Sequence, residues 1–260
     1  MKLLYHNQVL KNCSSELASG LTLIFKLSVD SGTLPFDWTN ANVSPIYKKA
    51  GKHLPGNYRP VSLTSVPCKL LEHVISCHVM KHLEHHKILT KLNHGFCAGY
   101  PCETQLATKF NLCQNFDRQL QTDDAILDFS KAFDTVPQDW LLAKISKYGI
   151  TGNIHAWLTS FLAKRLMRVV VEGKFSKSAV VESGVPQGTV LSPILFLIQI
   201  NDLPESVTSQ VRLFADDCLL YRPIKSYQDH ILLQQELKNL KKWAQCWGMA
   251  FNAKNVMSCG

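Results

Sequence analysis

Apolar residues recur along this chain at two different periods, and the switches between them mark out its elements. Within residues 68–83 the apolar positions Leu70, Leu71, Val74, Ile75, Val79 and Leu83 fall at the three-and-four spacing of an amphipathic helix. Helices are also predicted over 17–27, with a turn at Ser31-Gly32, and over 140–148 and 154–163. Short apolar runs mark strands. Residues 42–47 read as one, and 58–63 as an extended segment kept out of the helical region by Pro60. Ala125-Ile126-Leu127 reads as a buried strand ending on Asp128. Residues 168–172 and 178–182 flank Gly173 and predict a β-hairpin. Residues 211–214 and 218–221 predict a second, with Ala215-Asp216-Asp217 at its turn. Ser226 and Asp229 have the spacing of a capping box. They open a helix whose stripe is Leu233, Leu237, Leu240, Trp243 and Trp247, and Gly248 is placed to stop it. Acid-bearing strands among helices, with no linker rich in Pro, Gly or Ser, place the chain in the α+β class.

Composition narrows the setting. With 260 residues, 46% of them hydrophobic and 18% charged, the chain is large enough to bury a core as one large domain or two joined ones. A formal net charge of +8 favours a polyanionic partner, of which nucleic acid is the commonest. The 9 cysteines are scattered and form no CxxC pair, which fits a reducing interior, nucleus or cytoplasm, better than a secreted disulfide framework. Residues 1–13 lack the apolar core and cleavage site of a leader. The apolar run 21–27 contains Lys26 and is too short to cross a bilayer, so no membrane role is expected. His73, Cys77, His78, His82, His85 and His86 crowd one helix but spread around it without a second ligand pair, and read as a polar face rather than a zinc site.

The candidate chemistry begins with the acids. Burying a lone carboxylate is costly, so Asp128 at the end of a buried strand belongs near solvent, a cation or donors. Asp216 and Asp217 are adjacent in a tight turn and repel unless a cation sits beside them. If their hairpin lies beside the Asp128 strand, the acids converge on one point. Mg²⁺ takes such oxygen ligands together with substrate phosphates, and a pair of such ions serves phosphoryl transfer. Asp is also an ordinary turn residue, so the pair alone leaves both readings open. The segment 183–188 opens a long apolar stretch. Within it, Gly188 permits close backbone approach and Gln187 offers a neutral donor and acceptor, which suits contact with a base pair or sugar or simply a turn into a core helix. Lys48, Lys49, Lys52 and Arg59 form a basic cluster that suits a triphosphate or a solvated loop.

Taken together, these residues resemble reverse transcriptases of non-LTR retrotransposons of the jockey, RTE or CR1 kind. Residues 127–134 (LDFSKAFD), 184–193 (GVPQGTVLSP) and 213–217 (LFADD) look like that family's three palm motifs. Residues 57–63 (NYRPVSL) and 93–96 (NHGF) are similar to its fingers motifs, and all five occur in the family's order. The resemblance implies a right-hand polymerase fold, with fingers over 1–118 and a palm of antiparallel sheet and packed helices over 119–260. It places a fingers-side insertion at about 138–180 and the family's thumb beyond Gly260. It implies that Asp128, Asp216 and Asp217 hold two Mg²⁺ ions, with Mn²⁺ as a substitute. Phe133 becomes the gate under the incoming sugar, and Phe129, Gln187 and Gly188 line the nucleotide pocket. Arg59, with Lys48 or Lys49, grips the triphosphate. The implied activity is RNA-directed DNA polymerisation from deoxynucleoside triphosphates on an RNA template and DNA primer. The alternative is a catalytically inactive nucleic-acid-binding remnant of a retroelement. Three positions depart from the pattern: Gln199 stands where an aromatic is usual, Gln138 replaces a common histidine, and the stretch 251–255, including Lys254, matches a fourth palm motif poorly.

Overall fold

A computed structural model gives the architecture for residues 7–48, 51–96, 121–163, 165–252 and 257–259. Two helices, α1 (Asn7–Asn12) and α2 (Ser14–Ser31), come first, and α2 closes on left-handed Gly32, whose N–H bonds the carbonyls of Ser28 and Val29. A single helical turn, α3 (Phe36–Thr39), leads into β1 (Asn40–Tyr47), which is followed by β2 (Tyr58–Leu63) and the long helix α4 (Val66–His85). β3 (Thr122–Asp128) precedes α5 (Ala132–Thr135), α6 (Gln138–Lys147) and α7 (Gly152–Leu162). Three strands follow: β4 (Leu166–Val171), β5 (Lys174–Phe175) and β6 (Ala179–Val180). The chain continues through α8 (Ser192–Ile200), β7 (Gln210–Phe214), β8 (Asp217–Pro223), α9 (Tyr227–Cys246) and β9 (Met257–Cys259). The α+β class expected from the pattern is what the chain adopts. None of the described helices is long and apolar enough to cross a membrane.

The chain divides into two compact units, each made of two separate stretches. Residues 1–82 and 138–192 form the first. Its sheet runs β2-β1-β4-β5, with β6 on β4, and β1 pairs parallel with β4 from Asn40↔Leu166 to Val43↔Val169. Helix α2 packs on α7: buried Trp157 donates its indole N–H to Ser28 Oγ at 3.0 Å, and Ser160 Oγ accepts from the Leu34 N–H at 3.2 Å. Residues 83–137 and 193–260 form the second unit, whose sheet runs β7-β8-β3-β9 and is antiparallel at every pairing. Phe129, Phe196, Trp243 and Leu240 are buried in it, with Phe129 packed edge-on to Phe196 and stacked on Phe251 at 4.5 Å. The boundary expected at residue 118 falls outside the described residues.

Several elements differ from the sequence pattern. The buried stripe of α4 runs through Cys68, Leu71, Glu72, Ile75 and Val79, whereas Leu70 and Val74 are exposed. The stripe is rotated to take in a glutamate, which apolar spacing alone hides. In α9 the capping box forms, and the buried face carries Glu236 between Leu233 and Leu240. That carboxylate accepts from Thr208 N–H, Thr208 Oγ1 and Ser209 N–H at 2.6–2.9 Å. The long hairpin expected around Gly173 is broken. Glu172 (φ +50) and Gly173 (φ +78) make a two-residue turn that sets Val171 opposite Lys174. Further along, Leu166 faces Val180, a register one residue out. The extra residue is a β-bulge near Ser176, whose Oγ accepts from the Val169 N–H at 2.9 Å.

Candidate active site

The candidate residues fall into two groups, one in each unit. In the second unit, β3 and β8 pair so that Asp128 lies directly opposite Asp217. β7 and β8 close their hairpin with Phe214 opposite Asp217, leaving Ala215 and Asp216 as the turn. Directly opposed residues of an antiparallel pair hold their Cβ atoms within about 5.5 Å of each other, on the same face. Register therefore brings Asp128 to the adjacent pair Asp216 and Asp217, distant from it in sequence, at one end of the sheet. The Phe129 N–H donates to the Asp216 carbonyl at 3.4 Å and extends the junction by one residue.

Charge follows from this placement. The pKa of Asp217 lies above its ordinary value of 3.8, although the side chain is exposed at the surface. Partial desolvation by its surroundings contributes most, followed by the charges of Asp216 and Asp128. Next to it, burial and the Asp217 charge push the Cys218 thiol up to about 12, so it is chemically inert. Among the described residues, no group of three or more His, Cys, Asp and Glu side chains is arranged to hold a metal ion by itself. Carboxylate donors that repel one another suit a hard cation that takes its remaining oxygens from water and phosphate.

The turn bearing Asp216 is held from behind by a segment whose part in the site the pattern did not reveal. Residues 92–94 run along β7: the Leu213 N–H donates to Leu92 O and the His94 N–H to Leu213 O, both at 2.9 Å. Gly95 follows, tied through its N–H to Asn93 Oδ1 at 3.0 Å. A Cβ on Gly95 would lie 2.4 Å from the Ala215 nitrogen. Ala215 itself takes φ +53, a left-handed conformation unusual for a residue with a side chain. On the other side, the Asn252 N–H donates to Asp128 O at 2.7 Å and the Ser130 N–H to Ala250 O at 2.8 Å, fixing the end of β3.

Of the two phenylalanines, Phe133 is half-buried and stacks on Phe196 at 4.8 Å with 25° between the rings. Phe129, expected to line a nucleotide pocket, is 3% exposed, and its ring packs among Phe196, Trp243 and Phe251.

The second group lies in the first unit. Ile46 faces Arg59 across β1 and β2, and the Lys48 N–H bonds Asn57 O at 2.9 Å. Alternation along a strand then puts Lys48 and Arg59, both exposed, on one face of this pair. Lys52 leaves that group: its ammonium lies 5.6 Å from the centre of the Tyr47 ring, and its carbonyl accepts from Tyr58 Oη. Lys49 and Lys254 lie outside the described residues. The free edge of β2 meets the loop expected to contact a nucleotide, since the Ser62 N–H donates to Gln187 O at 2.7 Å. Gly188 (φ +91) sits where a Cβ would come 3.0 Å from Val61 Cγ1 and 3.1 Å from Ser62 O. A side chain there meets both strained backbone and a crowded strand. Gln138 donates Nε2–H to Gly184 O at 3.1 Å at the start of the same loop. The histidines of α4 make separate contacts: His82 Nε2 lies 2.8 Å from Tyr148 O, and His78 Nδ1 lies 2.8 Å from Val74 O.

Residues 46–257 match the family model described as reverse transcriptase (RNA-dependent DNA polymerase). A probable RNA-directed DNA polymerase from transposon X-element of Drosophila melanogaster is 28% identical over 95% of this chain and 28% of its own length. The RNA-directed DNA polymerase from mobile element jockey of the same fly is 27% identical over 96% of this chain, again 28% of that protein. The chain thus spans under a third of these relatives. Among solved structures, apo telomerase from Candida tropicalis superposes with a TM-score of 0.62 at 14% identity, over 96% of this chain and 49% of that one. Telomerase from that yeast in complex with a fragment of telomeric RNA gives 0.60 at 13% identity, over 94% of this chain and 44% of that one. The fold is that of a right-hand polymerase.

Proposed function

The chain belongs to the reverse transcriptase (RNA-dependent DNA polymerase) family, and from that premise we propose that it extends a DNA primer on an RNA template. The single observation that carries this reading is the pairing of Asp128 with Asp217 beside Asp216. The primer 3′-oxygen attacks the α-phosphate of a deoxynucleoside triphosphate in line, a new phosphodiester forms, and pyrophosphate leaves. Asp128, Asp216 and Asp217 would hold two Mg²⁺ ions, or Mn²⁺ in their place, and ions bound there would supply charge stabilisation for phosphoryl transfer.

The chain's own residues bind and orient the substrates. Arg59 and Lys48, together with Lys49, hold the triphosphate, Arg as a planar fork and Lys as a point charge. Gln187 and Gly188 line the pocket for the base and sugar. Phe133, backed by Phe196, excludes a 2′-hydroxyl under the sugar. Basic residues track the template–primer backbone, so affinity falls as salt rises. The reading places the protein inside the cell, in nucleus or cytoplasm.

The deciding experiment gives the purified chain a DNA primer on an RNA template, labelled deoxynucleotides and Mg²⁺. Incorporation is expected, and EDTA abolishes it. Salt-sensitive binding without extension at any Mg²⁺ concentration would instead identify an inert remnant.

Gly95 supports the same reading from behind the turn. In Gly95→Ala the new methyl meets backbone at Ala215, which cannot swing aside as a side chain would. Primer extension is expected to fall roughly a hundredfold, while stability falls by about 1–3 kcal/mol. Extension at the wild-type level in a melted-and-refolded control would separate Gly95 from the acids.

A further inference from the structure

Glu72 takes no part in the chemistry above, yet α4 carries it at 0% exposure. Its Oε2 accepts from the backbone N–H of Val190 at 2.7 Å and of Leu191 at 3.3 Å. Its Oε1 accepts from Cys68 Sγ at 3.5 Å. A buried carboxylate is costly unless donors and an opposite charge compensate it. Burial raises its pKa, and Val190, Leu191, Cys68 and Arg165 draw it back. Arg165 is the compensating charge. It is 2% exposed, its Nη1 donates to Phe161 O at 3.0 Å, and its guanidinium lies 4.9 Å from the centre of the Phe161 ring. The cation is therefore fixed in place by the protein's own carbonyls and aromatic face.

The backbone that Glu72 holds lies next to Gln187 and Gly188. The far flank of that loop is tied to β2 through Ser62. Its bend is closed internally by Thr189 Oγ1 and Ser192 Oγ, which donate to Pro186 O at 2.9 and 2.7 Å. The loop is thus held from two sides, by the edge of β2 and by a buried carboxylate. An apolar residue at position 72 would fill the core at lower electrostatic cost, but it would leave two N–H groups of the loop without this acceptor.

We propose that Glu72 is a positioning residue, which fixes Gln187 and Gly188 for the incoming deoxynucleotide through the backbone of Val190 and Leu191. The proposal rests on reading that loop as part of the nucleotide pocket. It is distinct from a purely structural role, in which Glu72 stabilises the first unit without affecting how nucleotide binds.

The test uses Glu72→Ala, which removes both acceptors, and Glu72→Gln, which keeps one, in the full chain. Four quantities are measured: amide exchange at Val190 and Leu191, deoxynucleotide KM and kcat in primer extension, primer–template Kd, and melting temperature. Glu72→Ala is expected to speed exchange at both amides and raise the nucleotide KM about tenfold or more. Its kcat stays within about threefold and the primer–template Kd does not move. Glu72→Gln falls between it and the parent. A lower melting temperature with unchanged nucleotide KM in the folded fraction overturns the proposal, as does unaltered exchange at the two amides. Should Glu72→Ala not fold, Glu72→Gln carries the test alone. A parent chain that neither extends a primer nor binds deoxynucleotide defeats the polymerase reading and with it the nucleotide role of Glu72. Amide exchange separates that failure from a loop that Glu72 does not hold.

Discussion

Asp217→Asn is expected to lower primer extension by about a thousandfold or more while leaving the chain folded. The substitution keeps shape and hydrogen-bonding capacity but removes one charge from the point where Asp128, Asp216 and Asp217 meet. Primer–template affinity should change little, because phosphate contacts come from basic residues elsewhere. A second readout comes from stability. The folded pKa of Asp217 is raised, so the folded chain favours its neutral form. That contribution is fully present below the ordinary value of 3.8 and is lost as pH rises through the raised folded value. In EDTA at neutral pH the parent therefore carries a repulsive cost that the Asn variant lacks, and the variant melts at the higher temperature. The gap closes once the medium is acid enough to protonate Asp217 in both states. Added Mg²⁺ raises the melting temperature of the parent more than that of the variant. Undiminished extension by the variant would remove Asp217 from the catalytic group.

Arg165→Met is expected to be the most destabilising single change, costing about 3–5 kcal/mol. Methionine fills much of the volume but leaves Glu72 buried without its cation, and Phe161 O loses its donor. At roughly 2–4 °C per kcal/mol for a chain of this size, the melting temperature falls by about 10 °C. Adding Glu72→Gln to Arg165→Met should return part of the loss, because the uncompensated charge is then gone. Two losses that simply add would show that the groups do not interact.

The parts of this molecule legible in its sequence are those whose cause is local. The strand ending on Asp128, the hairpin with acids at its turn and the capping box at Ser226 each come from a few adjacent residues, and each forms in the structure. The resemblance grouped those acids, but their meeting depends on register between β3 and β8, which no local pattern states. Glu72 was hidden for a related reason. A glutamate reads as a surface residue until its acceptor role is known, and Val190 lies 118 positions away. The parallel pairing of β1 with β4 was equally invisible; Arg168 Nε reaches Asn42 Oδ1 across 126 positions. Phe129, the motif neighbour of Asp128, has a side chain packed in the core, which the motif alone does not state.

The interleaving of the two units constrains how the protein is made. The first unit needs residues 138–192 to complete its sheet, and the second needs 193–260 for β7, β8 and α9. Neither can finish folding on the ribosome until well over half the chain has been synthesised, which leaves the β1–β2 pair waiting for β4, the distant partner of β1. A genetic cut at residue 118 or 137 would split both units at once, so subcloned halves should be insoluble alone and regain structure only when co-expressed.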